Sequence, residues 1–137
     1  MGKSKLTTMI AEAIIKILLA SADITSLVGN RVEPSILKLS KIYPSIYVSS
    51  DRMSKPACSR PNGLRIGAIE VGVYADTYRE TGAIIEAIRK TLDDFEGMVQ
   101  SVGIRIQSGQ DTGDKYDDIE NKHVKIIEYD AAVQIYN

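Results

Sequence analysis

Two stretches of this chain alternate apolar and polar residues as strands do, and in each the alternation changes phase partway along. In Leu64 to Ala75, Leu64, Ile66 and Ala68 point one way, then Ile69, Val71, Val73 and Ala75 point the other. In Val124 to Ile135, Val124 and Ile126 give way to Ile127, Tyr129, Ala131, Val133 and Ile135. A strand that switches faces either serves two apolar surfaces or contains a bulge. At about 3.3 Å per residue each would run roughly 40 Å, the width of a small domain, so one end of each is expected to project towards a neighbour.

The remaining elements frame these two. Leu6, Met9, Ile10, Ala13, Ile14, Ile17 and Leu18 recur at spacings of three and four, the stripe of an amphipathic helix expected to lie on a sheet. Asp23 is expected to cap a short helix ended by Gly29 and Asn30. Ile46 and Val48 alternate with polar neighbours after Pro44, which marks another strand. Thr77-x-x-Glu80 reads as a capping box opening a helix with Ile84, Ile85, Ile88, Leu92 and Phe95, which Gly97 stops. Met98 to Gln107 reads as a strand with Val102, Ile104 and Ile106 on one face. Ser50 to Gly63 and Ser108 to Asn121 read as polar loops. The expectation is one α+β domain over 1–137: a mainly antiparallel sheet of about four strands with two main helices on one face.

The same residues leave little room for chemistry. Cys58 is the only cysteine and His123 the only histidine, so neither a thiolate cage nor a local nucleophile and base pair is written in the chain. The aspartates of the second loop miss the spacing of a calcium loop. Gly67 and Gly72 fall inside a strand and mark a bulge or a close backbone approach, with no phosphate cradle. The segment 6–20 is interrupted by Thr7, Thr8, Glu12 and Lys16, which is too polar for a membrane span. A net charge of -1 supplies no overall basic field for nucleic acid. No enzyme activity, cofactor or metal is expected. The charged positions read as contacts for protein: Arg52, Lys55 and Arg60 in the first loop, and Asp111, Asp114 and Asp117 as their opposites in the second.

Leu18-Leu19 to Val32 with its Leu-Val-Gly-Asn-Arg-Val turn, Pro44-Ser-Ile-Tyr-Val48, Ile69-Glu-Val-Gly-Val-Tyr-Ala75, the helix 83–92 and the closing strand together resemble the tail-completion or tail-terminator proteins of long-tailed bacteriophages and prophages. The resemblance implies a virion protein assembled in the host cytoplasm. It implies a subunit that forms a ring, usually of six copies, on the last layer of the tail tube, stopping tube growth and presenting a surface to the connector proteins of the filled head. Its partners would be further copies of itself, the tail tube protein and a head-closure or connector protein, with nucleic acid only passing through the ring lumen. The linker 33–43 and the acidity of the second loop depart from the family pattern. Two other readings stand beside this one: another neck component, such as a head-closure or connector-adaptor protein, and a small-ligand module using the space between the sheet and the 50–63 loop.

Overall fold

In a computed structural model the chain is described over residues 3–34, 42–54 and 64–135. The elements run α1 (Lys3–Leu19), α2 (Ala22–Val28), β1 (Val32–Glu33), β2 (Ser45–Ser49), β3 (Leu64–Ala75), α3 (Tyr78–Leu92), β4 (Glu96–Val99), β5 (Val102–Asp117) and β6 (Lys122–Ile135). They build an α+β layer pair whose sheet has six strands in the order β1-β2-β3-β6-β5-β4. It is larger than the four strands expected and is mixed, because β1 pairs with β2 in parallel while the other pairings are antiparallel.

The helices pack on one face of the sheet. Ile10, Ala13, Ile14 and Leu18 of α1, Ile24 and Val28 of α2, and Ile84, Ile88 and Leu92 of α3 share one buried cluster with Ile69, Val71, Val73, Ile104, Ile127 and Val133. Burial of these apolar side chains is the main force holding the layers together. Local capping fixes where the helices begin. Ser21, in place of the expected Asp23, caps α2, its Oγ accepting the Ile24 N–H at 3.4 Å, and Gly29 ends that helix at φ 62°. Thr77 caps α3 as expected, accepting the Glu80 N–H at 3.1 Å.

Three expectations are corrected at the C-terminal half. Helix α3 stops at Leu92, with Asp93 as its cap, so Phe95 and Gly97 lie beyond it and Gly97 belongs to β4. The strand expected from Met98 is a hairpin, β4 and β5 joined across Gln100 and Ser101, with Gln100 at φ 55°. The loop expected over 108–121 is instead strand: β5 continues to Asp117, and a short turn stabilised by Asp117 Oδ1, which accepts the N–H groups of Ile119 and Glu120, leads into β6.

The phase change in β3 and β6 needs no bulge. Their pairing runs without a register shift from Leu64↔Gln134 to Ala75↔His123. Both strands therefore serve two apolar surfaces, while the two register shifts lie in β5, at Ile106/Ser108 and Asp111/Asp114.

Candidate interaction surfaces

The face of the sheet away from the helices divides along β3 and β6 into three zones. At the end near Tyr74, Tyr47, Tyr74 and Val124 form a second, small buried cluster, with Tyr43 and Ile126 against it. Gly72, the register partner of Tyr47, makes this possible: a Cβ at Gly72 would collide with the Tyr47 ring. The hydroxyls are all committed to carboxylates. Tyr47 donates to Glu70 at 2.6 Å, Tyr43 to Glu120 at 2.6 Å and Tyr74 to Asp117 at 3.4 Å. Burial, reinforced by these carboxylates, raises the pKa of each phenol, that of Tyr43 to about 12. The Lys122 ammonium lies 4.9 Å from the centre of the Tyr43 ring. Tyr43 stacks on Tyr74 at 6.1 Å between centroids and Tyr47 tilts against Tyr74 at 6.2 Å, so the three form a closed knot.

The middle zone is charged. Glu70 and Glu128 stand directly opposite one another across β3 and β6, a repulsive placement relieved by Tyr47 on one side and by Arg52, which pairs with Glu128, on the other.

The far end is open and largely apolar, with Gln134, Arg105 and Glu96 set among its apolar residues. Leu64, Ile66, Ala132 and Met98 lie on this face in adjacent register rows, with Ile66 44% and Met98 59% exposed. A shallow groove of about 360 Å³ runs here between Leu64, Met98, Gly103 and Gln134. The sequence signal for it is the early phase of β3; Met98 carries none, because the Gln100-Ser101 turn of its hairpin has no turn signature.

The charged positions singled out in the sequence are distributed differently from one another. Arg52 sits in the turn after β2, bound to Glu128. Lys55 and Arg60, like Cys58, lie outside the described residues. Asp111 and Asp114 lie on the helix-facing side of β5, where Asp111 pairs with Arg89 of α3 at 3.1 Å and Asp114 with Lys125 of β6 at 3.4 Å. Asp117 caps the β5–β6 turn. His123 packs edge-on against Tyr116 at 5.1 Å. Among the described residues there is no group of three or more potential metal ligands, and no helix is long and apolar enough to cross a membrane.

No family model and no curated protein matches the chain. Solved structures do. One is a chain from the virion of a native gene transfer agent particle, 12% identical, with a TM-score of 0.65 over 93% of this chain and 95% of that one. A second is 16% identical, with a TM-score of 0.65 over 100% of this chain and 99% of its own length. At such identities the likeness is one of fold, and it extends over the whole domain.

Proposed function

We propose that this protein is a structural component of a phage-like particle, a subunit that forms a ring on the end of the tail tube, terminates tube growth and offers the surface for head attachment. The observation that carries the reading is the open apolar end of the outer sheet face. Ile66 and Met98 are large, adjacent to Leu64 and Ala132, and uncovered, whereas the aromatic end of the same face is sealed by its own residues. An uncovered apolar zone beside a finished core is what an assembly subunit carries before it meets its neighbours. The fold shared with a chain of a gene transfer agent virion, nearly end to end, supports the same reading.

Light scattering after size exclusion, over a range of protein and salt concentrations, with negative-stain imaging of tail tubes added to the protein, tests it. Discrete rings, and rings capping tubes, are expected. A species that stays monomeric with tubes present would remove the proposal. Rings that bind isolated head connectors but ignore tubes would instead favour a head-closure or adaptor role.

A further inference from the structure

Ile119 is the most exposed large apolar side chain among the described residues, at 89%. It sits in the turn between β5 and β6, at the end of the sheet where β3 finishes with Ala75 opposite His123. The turn is held by its own first residue: Asp117 Oδ1 accepts the N–H groups of Ile119 and Glu120 at 2.9 and 3.0 Å, and the Asp117 carbonyl accepts that of Asn121 at 2.7 Å. Glu120 is engaged by the Tyr43 hydroxyl. Asp118, beside Ile119, is exposed and forms no ion pair among the described residues.

Tight turns favour Gly, Pro, Asn, Asp and Ser, whose backbone freedom or short polar side chains serve the turn, and a β-branched apolar residue offers neither. An isoleucine fixed there in water departs from the local rule, as residues at functional positions do. What this knob lacks is a hole. Its own subunit has one that it cannot reach: the groove between Leu64, Met98, Gly103 and Gln134 lies at the other end of the same ladder, twelve residues of β3 or about 40 Å away. At about 360 Å³ the groove admits an aliphatic side chain. Arg105 lines it and has no ion pair among the described residues, even with Glu96, its register partner on β4.

Knob and groove match in shape and in charge. The first is apolar with a spare carboxylate beside it, the second apolar with a spare guanidinium, and both are open to solvent. Two different surfaces of one molecule that complement each other make a heterologous contact, which closes into a ring when the rotation between copies allows. We infer that Ile119 of one subunit seats in the Leu64 and Met98 groove of a second copy of this chain, with Asp118 against Arg105. Arg105 has five N–H donors, enough to serve the incoming carboxylate while it offsets Glu96. The inference rests on the ring reading above and names what covers its open apolar zone.

Sedimentation velocity over a concentration series reads assembly, and urea unfolding at a concentration where the protein is monomeric reads the subunit. Ile119→Asp is expected to assemble about tenfold or more weakly than wild type, as loss of an interface anchor does, and to unfold at the same urea concentration. Asp118→Arg should weaken assembly too, and adding Arg105→Asp to it should restore the contact. Mixing is the sharper test. Ile119→Asp keeps an intact groove and Ile66→Asp with Met98→Asp keeps an intact knob, so an equal mixture should give a two-subunit species and nothing larger. Normal rings from Ile119→Asp, or a mixture that stays monomeric, would overturn the contact and leave the ring reading standing. Open filaments of wild type that Ile119→Asp abolishes would keep the contact and overturn the ring. A wild type that remains monomeric throughout would overturn both.

Discussion

The ring of Tyr47 fills the space that Gly72, its register partner on β3, leaves by having no side chain. Tyr129 does the same over Gly109 on the opposite face of the sheet, where β6 meets β5. Each face thus has one tyrosine lying across a glycine, with the hydroxyl held by a carboxylate, Glu70 in the first case and Asp93 in the second.

Gly72→Ala should therefore overpack the outer face. The Tyr47 ring cannot swing aside freely, because Glu70 holds its hydroxyl and Tyr74 its flank. A loss of about 1–3 kcal/mol in urea unfolding is expected. Gly82→Ala, on a half-buried helix position where an added Cβ would meet nothing, should instead leave stability unchanged or raise it by up to about 1 kcal/mol. Equal effects from the two substitutions would contradict the packing described.

Tyr129 is fully buried and donates to Asp93 at 2.9 Å, and Asp93 also lies 3.6 Å from Arg89, which binds Asp111. Tyr129→Phe should cost about 1 kcal/mol, the net worth of one hydrogen bond. Asp93→Ala should cost more, since it leaves the buried phenol without an acceptor and removes the carboxylate beside Arg89. In the double variant the two losses should fall short of their sum.

Alkaline pH should unfold the protein through its phenols. Tyr43, Tyr47, Tyr74 and Tyr129 all have pKa values raised by burial and by a hydrogen-bonded carboxylate. A phenol whose folded pKa exceeds its unfolded value, about 10, stabilises the fold fully below that pH, and the benefit is lost as pH rises above it. Stability should be flat with respect to these groups up to about pH 10 and fall beyond it. Ultraviolet titration of tyrosinate should show Tyr43, Tyr47, Tyr74 and Tyr129 lagging behind free tyrosine until the chain unfolds. Ionisation of these four in step with free tyrosine, near pH 10, would contradict the arrangement.

Ile66→Asp combined with Met98→Asp should separate folding from assembly. Both side chains are exposed, so the monomer should change by no more than about 0.5 kcal/mol per site, whereas ring formation should be abolished. Rings of normal stability from this variant would move the interface elsewhere. Arg52→Ala serves as a comparison: its pairing with Glu128 is exposed, so about 0–1 kcal/mol is expected from its loss.

Much of this architecture was legible because apolar residues report which surfaces are buried. The α1 stripe, the Thr77 cap and the two-surface character of β3 and β6 all follow from such patterns. The outer half of β5 was not legible, since Asp111 and Asp114 face Arg89 and Lys125 where a core strand would place apolar residues, and two register shifts break the alternation. The β4–β5 hairpin turns on Gln100-Ser101, which lacks the Asn-Gly or Asp-Gly signature of a two-residue turn. Among candidate contacts, Ile66 was foreshadowed by its phase.

The uninterrupted ladder between β3 and β6 also has a mechanical meaning. The same pair of strands that carries Ile69, Val71 and Ile127 into the interior carries Leu64, Ile66 and Ala132 onto the outside, with no shift of register between. Force applied at the outer end would travel along backbone hydrogen bonds straight into the buried cluster, so the subunit would bear load as a single stiff block.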